Sequence, residues 1–378
     1  MNSQKPTLTF YSYDSLGNPW CGGGGAYRDL EILKQQKNNW RSITFIVGNH
    51  HSKKTPSIDN ISFHYLGWGK SYLTSRLSYT LLANLKILFD KSHLIGYAFS
   101  IYSPLLTALF KPSRLYFVFH HQTGKQVFKK FGLFGLPSYL FEKLFFRFSK
   151  NVLCSNSILS NKIKKLNPKV NLLQTVNGFV EALLQTPPKP SQPPYILFLG
   201  RFDIQMKGLD LLIEAFSKLK HTTENLTLIL AGRASEKTFK QVQRLIEISK
   251  MDQYITLKLN ISELEKRDLL QSCLFFCSPS RYEGWGISAL EANAVGKAVL
   301  VTQTDGYLDS ISPQSGCFIP VNDIEALTIK MKELSSTPSM RERYESHAKE
   351  WASQFTWKQI SAKEYNWVFQ TFLDFTPH

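Results

Sequence analysis

The chain is poor in cysteine, and its cysteines are not spaced for a disulfide framework or a metal site. The 378 residues contain five of them, Cys21, Cys154, Cys273, Cys277 and Cys317, with no C-x-x-C pair. Cys273 and Cys277 lie one helical turn apart in an apolar stretch, which predicts core positions rather than metal ligands. These spacings exclude a disulfide-rich secreted module, so we expect a reducing, cytoplasmic setting.

Other absences narrow the class of protein further. The segment Met1–Asp14 has no apolar run after its lysine, so no signal peptide is expected. No zinc-finger spacing or RNA-binding aromatic signature is present, which argues against a nucleic-acid partner. Ser92–Phe110 is uncharged and close to membrane-spanning length, but Gly96 and Pro104 interrupt it. We interpret it as a strand over His93–Tyr97 followed by a helix from about Pro104, with a transmembrane span as the alternative.

Acidic residues are scarce in the first half of the chain. Residues 1–190 carry 24 Lys+Arg against 7 Asp+Glu, hence +17, whereas residues 191–378 carry 21 against 22, hence −1. The whole net charge of +16 therefore lies in the first half. Such a one-sided bias indicates an anionic partner for that half. The length, with 43% hydrophobic and 13% aromatic residues, is that of a folded chain of two domains.

Strand and helix patterns alternate along the first half. Strands are predicted at Leu8–Tyr13, Ser42–Val47, His93–Tyr97, Leu115–His120, Asn151–Ser155 and Val170–Val176. Helix patterns occupy Tyr27–Gln36 and Ser75–Phe89. The second of these has apolar residues along one face, namely Leu77, Leu81, Leu82, Leu85 and Leu88. This alternation predicts a parallel sheet with helices on both sides.

A proline-rich segment, Thr186–Pro194, predicts the domain boundary, because it cannot form a helix or a central strand. A second strand–helix alternation follows, with strands predicted at Tyr195–Gly200, Leu226–Ala231, Ile255–Leu259, Leu274–Cys277 and Ala298–Val301. The chain closes with a helix pattern over Phe355–Phe372. We therefore predict one domain at residues 1–186, completed by a helix at about 357–378, and a second domain at residues 187–356.

The segment Pro279–Gly296, PSRYEGWGISALEANAVG, carries two glutamates in a pattern that suits a sugar nucleotide. Glu283 lies in a short loop with Gly284 and Gly286, and Glu291 lies about two turns into the following helix pattern. A carboxylate can accept two sugar hydroxyls at once. Glycines let the backbone approach a ligand, and the start of a helix favours a diphosphate. We predict a sugar-nucleotide site, and the alternative is an ordinary polar loop that caps a helix.

A second segment, Leu199–Phe216, LGRFDIQMKGLDLLIEAF, places two cations beside the end of a strand. The strand ends at Gly200, Arg201 follows it, and Lys207 precedes an amphipathic helix that begins at Leu209. Ligands of doubly wound sheets bind outside the carboxyl ends of the strands. Cations there would stabilise a diphosphate that gains charge as a glycosidic bond breaks. The alternative is a basic loop that merely flanks a helix.

Both segments resemble motifs of retaining glycosyltransferases of the GT-B fold, particularly glycosyltransferase family 4. Pro279–Gly296 resembles the E-x(7)-E donor motif, and Leu199–Phe216 resembles the G-R-x(5)-K-G element that holds the donor diphosphate. The resemblance implies an α/β fold of two Rossmann-like doubly wound domains facing a cleft. It also implies that the last helix crosses back onto the N-terminal, acceptor-binding domain, although the pattern alone would fit a simple surface helix.

The resemblance also implies the roles of individual residues. Arg201 and Lys207 would hold the donor diphosphate, and Glu283 would bind hydroxyls of the sugar. The implied catalytic residues are His120, Arg201, Lys207 and Glu283. The implied donor-binding residues are Gly24, Gly25, Gly200, Arg201, Lys207, Leu259, Glu283, Gly284, Gly286, Ile287 and Glu291.

The glycine run and a double histidine are weaker signals in the first half. Gly22–Gly25 precedes a helix pattern and could cradle a phosphate or simply form a flexible turn. By the resemblance, Gly24 and Gly25 would contact the donor. His120 and His121 end an apolar strand, where the resemblance implies a contact with the transferred sugar or its phosphate. His120 is the better match on the strand, and His121 is the fallback.

The chain departs from the family pattern at Asn260, where a glycine is usual after the strand that ends at Leu259. The nucleotide base is therefore unassigned, with UDP as the working choice. No D-x-D occurs in the sequence, so we expect neither a metal nor a separate cofactor. The expected mechanism is a front-face transfer with retention, in which the departing phosphate oxygen takes the acceptor's proton while Arg201 and Lys207 hold the diphosphate.

A basic, aromatic-rich segment, Lys125–Lys150, predicts contact with an anionic membrane. Its cations are Lys125, Lys129, Lys130, Lys143, Arg147 and Lys150, and they alternate with phenylalanines and leucines. Such a segment suits the interface of an anionic bilayer. The alternative is a core-packed helix with solvated lysines. With the charge bias and the family's acceptors, it predicts a peripheral enzyme on the inner face of the plasma membrane.

Taken together, these patterns predict a hexosyltransferase-type enzyme that moves a sugar from a nucleotide-diphosphate sugar to a glycolipid, a lipid-linked acceptor or a polysaccharide. The main alternative is a non-catalytic sugar-nucleotide-binding assembly protein on the same scaffold. A GT-B phosphorylase or a sugar epimerase is the nearest enzymatic rival.

Overall fold

The computed structural model describes residues 5–16, 18, 24–50, 57–99, 114–120, 124, 128, 132–220 and 225–372. The chain divides into two compact units. The N-terminal unit comprises Met1–Asn177 and Trp357–His378, and the C-terminal unit comprises Gly178–Thr356.

The N-terminal unit is built on a seven-stranded parallel sheet with the order β3-β2-β1-β4-β5-β6-β7. Its strands are β1 Thr7–Ser12, β2 Ser42–Gly48, β3 Ile61–Leu66, β4 Leu94–Ala98, β5 Leu115–Phe119, β6 Asn151–Cys154 and β7 Asn171–Gln174. Six of the seven agree with the predicted strands to within a few residues. The sequence pattern missed β3, because it is a half-exposed edge strand with a mixed composition, ISFHYL.

Helices cover both faces of this sheet. They are α1 Gly24–Gln36, α2 Tyr72–Phe89, α3 Leu136–Phe148, α4 Ser157–Leu166 and, at the end of the chain, α13 Trp357–Phe372, with a short 3-10 helix at Gly132–Gly135. Residues of α2, α3 and α4 share one core cluster on one face of the sheet. Residues of α1 and α13 share the other. The last helix therefore returns to the N-terminal unit, as the family resemblance implied.

The C-terminal unit has a six-stranded parallel sheet with the order β10-β9-β8-β11-β12-β13. Its strands are β8 Tyr195–Arg201, β9 Thr227–Arg233, β10 Ile255–Leu259, β11 Phe275–Ser278, β12 Val299–Thr302 and β13 Gly316–Ile319. Five of them were predicted, and β13 was not. Both sheets have their first strand in the middle, which is the doubly wound order. The predicted fold class of two Rossmann-like α/β domains is confirmed.

The helices of the C-terminal unit are α5 Ile204–Lys207, α6 Leu209–Lys220, α7 Glu236–Ile248, α8 Glu263–Ser272, α9 Ile287–Ala294, α10 Asp305–Ser310, α11 Ile324–Ser336 and α12 Pro338–Ser353. Cys273 and Cys277 are buried in its two core clusters. Their predicted core positions are thus confirmed.

The unit begins before the proline-rich segment that predicted its boundary. Phe179 and Leu183 are buried in a core cluster of the C-terminal unit, on either side of the start of a 3-10 helix at Glu181–Gln185. The Phe179 amide also donates to the Phe355 carbonyl oxygen at 3.1 Å. The boundary therefore lies at Asn177 rather than at residue 186, because the residues before the prolines pack on the second core.

The uncharged segment Ser92–Phe110 contributes β4 to the sheet, in agreement with the predicted strand. The helix predicted from Pro104 lies outside the described residues. Within the described part of the chain, no helix combines the length and the apolar character needed to cross a bilayer.

Candidate functional site

The two motif-bearing loops of the C-terminal unit follow neighbouring strands. β8 pairs with β9 on one side and with β11 on the other, and the strand order reverses between β8 and β11. Loops that follow two such strands diverge and leave a crevice at the carboxyl edge of the sheet. Arg201 is the last residue of β8, Lys207 lies in the segment after it, and Glu283 follows β11. The fold therefore brings the two motifs to the position where doubly wound domains bind their ligands.

Close backbone contact ties the two loops together. Gly208 has a left-handed backbone with φ +66°, and a Cβ at this position would lie 2.2 Å from the Pro279 carbonyl oxygen. The amides of Arg281 and Tyr282 both donate to the Met206 carbonyl oxygen, at 2.9 and 3.2 Å. Only glycine combines this φ with this approach, so the glycine of the G-R-x(5)-K-G element is a packing requirement.

Arg281 clamps the same junction through its side chain. Its guanidinium donates to both carboxylate oxygens of Asp210, at 2.8 and 2.7 Å, and to Asn322 Oδ1 at 2.6 Å. A two-pronged guanidinium–carboxylate bond fixes both distance and orientation. This residue was not predicted from the sequence. The sequence does show Arg281 in the motif loop and Asp210 in the first turn of α6, the helix after Lys207.

Lys207 and Glu283 meet directly. The Lys207 Nζ lies 2.6 Å from Glu283 Oε2, and the two side chains are only 20% and 15% exposed. An ammonium carries three N–H donors, and a carboxylate has four acceptor positions, so the pair retains capacity for further hydrogen bonds. Glu283 Oε1 accepts a hydrogen bond from the Gly284 amide at 3.2 Å. The pairing places a cation and a hydroxyl acceptor side by side at the crevice.

Helix α10 supports the loop that carries Glu283. A Cβ at Gly306 would lie 2.4 Å from the Glu283 carbonyl oxygen, and a Cβ at Gly286, which has φ +75°, would lie 2.5 Å from the Tyr307 ring. Burial, followed by the negative charge of Glu283, raises the pKa of the Tyr307 hydroxyl well above its ordinary value. Tyr307 therefore stays protonated. Neither Gly306 nor Tyr307 was singled out from the sequence, because both lie after the next strand.

Arg201 does not join the Lys207–Glu283 pair. Its side chain is 70% exposed, and its guanidinium lies 3.4 Å from Asp203 Oδ2. Asp203 itself caps α5 by accepting from the Met206 amide at 3.0 Å. The structure thus brings Lys207 and Glu283 together and leaves Arg201 at the solvent-facing side of the same loop.

Glu291 is held by a residue that the sequence analysis did not consider. It is buried on α9, and Lys266 Nζ lies 2.8 Å from its Oε1. Lys266 also contacts Glu263 Oε2 at 2.7 Å. Burial raises the pKa of the Glu291 carboxyl, and the charge and the hydrogen bond of Lys266 oppose that shift. In the sequence, the only sign of this pair is Lys266 itself, which lies one turn into helix α8.

The remaining predicted positions of this unit lie at strand ends or at the start of α9. In the parallel register, Gly200 pairs with Gly232 and Leu259 pairs with Gly232, so three carboxyl ends are adjacent. Asn260 takes the left-handed conformation with φ +53°, and its amide donates to the Gly232 carbonyl oxygen at 2.8 Å. Asparagine tolerates this conformation, which explains how it replaces the usual glycine. Ile287 begins α9 directly after Gly286.

In the N-terminal unit, Gly25 and His120 are in contact. A Cβ at Gly25 would lie 3.0 Å from Cδ2 of the His120 ring, whereas Gly24 has nothing within 4 Å of that position. The His120 Nε2 lies 3.0 Å from Oδ1 of Asp29, a buried residue of α1. Asp29 also accepts from Ser12 Oγ at 3.2 Å. The carboxylate orients the imidazole. His121, Gly22 and Gly23 lie outside the described residues.

A buried ion pair joins α1 to the last helix beside this histidine. Arg28 Nη2 binds Glu364 and donates to Thr175 Oγ1, the latter at 3.1 Å. Thr175 in turn donates to Glu364. Burial raises the pKa of the Glu364 carboxyl, and the Arg28 charge opposes that shift. Asp29, Arg28 and Glu364 form one buried polar cluster that the sequence analysis missed, because its members are far apart in the chain.

Similarity to known proteins agrees with this geometry. The family model "Glycosyl transferases group 1" matches residues 180–351, nearly the whole C-terminal unit. Over 176 residues the chain is 23% identical to a phosphatidyl-myo-inositol mannosyltransferase of Mycolicibacterium smegmatis, which covers 46% of this chain and 44% of that protein. The alignment thus spans less than half of that relative.

Solved structures match over the full length. Sucrose-phosphate synthase from Thermosynechococcus elongatus superposes with a TM-score of 0.81 at 15% identity, covering 98% of this chain and 100% of the other. HepE from Anabaena, solved with UDP-glucose, gives 0.74 at 17% identity, with 96% and 98% covered. The chain has the GT-B fold, and its C-terminal unit is similar to group 1 glycosyl transferases. The matched unit contains the Lys207–Glu283 pair and the Lys266–Glu291 pair.

Residues that could hold a metal are not clustered. Within the described ranges, no group of three or more His, Cys, Asp or Glu side chains is arranged to bind a metal ion. The charged side chains at the crevice include the Lys207–Glu283 pair.

Proposed function

We propose that this protein is a retaining glycosyltransferase that uses a nucleotide-diphosphate sugar. The observation that carries the proposal is the 2.6 Å pairing of Lys207 with Glu283 at the strand-order reversal. It joins one residue from each motif at the edge of the sheet where doubly wound domains bind ligands. If the basic loop and the polar helix cap had unrelated roles, direct contact between their charged side chains would not be expected.

In the proposed reaction, the bond between the anomeric carbon and the diphosphate oxygen breaks while the acceptor oxygen bonds to the same face of that carbon. The acceptor's proton passes to the departing phosphate oxygen, and the nucleoside diphosphate leaves. Lys207 and Arg201 stabilise the charge that grows on the diphosphate. Glu283 binds sugar hydroxyls, and Glu291, held by Lys266, binds hydroxyls of the nucleotide. Gly24, Gly25 and His120 stay predicted contacts with the donor.

A UDP sugar is the proposed donor, and a glycolipid, a lipid-linked glycan or a polysaccharide is the proposed acceptor class. The UDP-glucose complex of the structural neighbour from Anabaena supports the donor. The acceptor named for the mycobacterial relative, phosphatidyl-myo-inositol, supports a lipid-linked acceptor. We also propose that the enzyme works in the cytoplasm, without a metal or a cofactor, at an anionic membrane surface that its basic first half contacts.

A thermal-shift screen of UDP, GDP, ADP and their sugars tests the proposal, because a ligand that binds only the folded state raises its melting temperature. Donor turnover is then measured for Lys207→Ala and for the matched control Lys218→Ala. Lys218 also pairs with a glutamate, Glu214, at 2.9 Å, but the pair is half-exposed on α6. Loss of one charge at the diphosphate lowers kcat by about 10²–10³, whereas the control keeps its activity.

The competing function is non-catalytic binding of a sugar nucleotide. A protein of that kind would show the thermal shift without donor hydrolysis or transfer. Equal turnover in the Lys207→Ala and Lys218→Ala variants would also reject the proposed site.

A further inference from the structure

Helix α2 presents its leucines to solvent. Leu81 is 58% exposed and Phe89 is 80% exposed. These two belong to a row at every fourth position, a spacing that lines up side chains along one face of a helix. The outward residues, here called the α2 stripe, are Leu73, Leu77, Leu81, Leu85, Leu88 and Phe89. An apolar face of this kind ordinarily packs on a core, and among the described residues this one stays exposed.

The opposite face of α2 fixes this orientation. The residues buried against the sheet are small or specifically bonded, namely Ser75, Ser78, Tyr79, Ala83 and Ile87. The Tyr79 hydroxyl donates to the Ile46 carbonyl oxygen at 3.3 Å. A Cβ at Gly69 would lie 2.7 Å from the Ser75 amide, so the preceding loop packs directly on the helix backbone. Rotation of the helix to bury its leucines would break all of these contacts.

Helix α3 shows the same arrangement on the same face of the sheet. Its Phe145 and Phe146 are buried in the core cluster that also contains Tyr79, Ala83 and Ile87 of α2. Its outward apolar residues, here called the α3 stripe, are Leu136, Leu140, Leu144 and Phe148, each between 43% and 49% exposed. Helix α3, which lies in the predicted basic segment Lys125–Lys150, therefore has one face in the core and one apolar face exposed to solvent.

The exposed charges beside both stripes are positive. Helix α2 contains no acidic residue. The one acid of α3, Glu142, is buried and accepts from the Gly124 amide at 2.9 Å. Lys86 on α2 and Lys143 and Arg147 on α3 are exposed, and Lys70, Lys91 and Lys150 flank the two helices. Leucines ringed by cations match the layered chemistry of an anionic bilayer surface.

We propose that the α2 and α3 stripes together form the surface by which this protein docks on an anionic lipid bilayer. The proposal deepens the membrane partner in the proposed function, and it adds α2, which the sequence analysis treated as part of the sheet's cover. A second copy of the chain is a poorer occupant. Two-fold pairing of this face would bring the same cations against one another.

Vesicle flotation tests the proposal with the full-length protein. Phosphatidylcholine vesicles with and without phosphatidylglycerol are used at low salt. The wild type is expected to float with the anionic vesicles only. The triple substitution Leu77→Ser, Leu81→Ser, Leu85→Ser is expected to lower binding at least tenfold. Removal of each of Lys143 and Arg147 is expected to lower binding about fivefold.

Leu264→Ser with Leu308→Ser is the matched control, because these leucines are equally exposed but lie in the C-terminal unit. Wild-type protein that stays with the soluble fraction at low salt, or a triple variant that floats as well as the control, would overturn the proposal. So would a wild-type dimer that the triple substitution converts to a monomer. Donor hydrolysis should be unchanged in the triple variant, so a failure here is separable from a failure of the transferase assignment.

Discussion

The contact between the two motif loops predicts a large cost for a single added methyl group. In Gly208→Ala the new Cβ would lie 2.2 Å from the Pro279 carbonyl oxygen, at a backbone φ of +66°. The left-handed conformation costs a non-glycine residue about 1–2 kcal/mol. Overpacking against rigid backbone adds about 1–3 kcal/mol. We therefore expect Gly208→Ala to lower the free energy of unfolding of the C-terminal unit by about 2–5 kcal/mol.

Gly284→Ala is the matched control in the partner loop. A Cβ at Gly284 would meet nothing within 4 Å, and its φ lies outside the left-handed range. The same chemical change should therefore alter the free energy of unfolding by no more than about 0.5 kcal/mol. Both changes in the free energy of unfolding are measured by urea unfolding with linear extrapolation. The comparison requires that the two variants keep the wild-type m-value.

The functional part of the same prediction concerns donor affinity. Separation of the loops moves Lys207 away from Glu283, so Gly208→Ala should weaken the binding of UDP or a UDP sugar relative to the wild type in a calorimetric titration. Equal urea-unfolding midpoints for Gly208→Ala and Gly284→Ala would refute the steric argument. A destabilised Gly208→Ala variant that binds the donor normally would refute the link between loop contact and site geometry.

Substitutions at three ion pairs would each have a separate, measurable effect. Glu364→Gln removes the carboxylate that Arg28 Nη2 binds, leaves only Asp29 at 3.7 Å from Nη1, and should cost about 3–5 kcal/mol in urea unfolding, whereas Glu364→Leu combined with Arg28→Met should cost much less; equal losses would refute the pairing. Lys266→Met should weaken donor binding, and affinity should recover as the pH rises, because burial already raises the pKa of Glu291 and only the lysine opposes that shift; a flat pH profile in titration calorimetry would contradict this. Lys207→Met, which keeps the length of the side chain, should abolish the thermal shift with UDP but leave the apo melting temperature within a few degrees.

The motifs and the alternation were predictable from the sequence because both are local. Glu283, Glu291 and Lys207 lie in short segments whose spacing is visible along the chain. Strand β13 and edge strand β3 were missed, since neither is a long apolar run. The motif glycine before α6, Gly208, was therefore recognisable from the sequence. The contact with the Pro279 carbonyl oxygen that requires a glycine there was not.

Partners that come from distant parts of the chain could not be predicted. Arg28 pairs with Glu364, and His120 with Asp29, only because the strand order brings their elements together. The structure joins Lys207 to Glu283 and Glu291 to Lys266, whereas Arg201 faces solvent. From the sequence alone, one charged side chain could pair with any of many opposite charges. The topology of the fold decides which of them lies close enough to pair.

The last helix belongs to the N-terminal unit for an electrostatic as well as an apolar reason. Val368 enters the core cluster of that unit, but the burial of Arg28 is what makes the return of α13 specific. A buried guanidinium without a counter-charge is strongly destabilising, and Glu364 is the carboxylate that it binds. Arg28 lies on α1, one residue from Asp29 and three from Gly25. The crossing helix therefore stabilises the element that orients His120, and the open choice between a surface helix and a structural one is decided in favour of the latter.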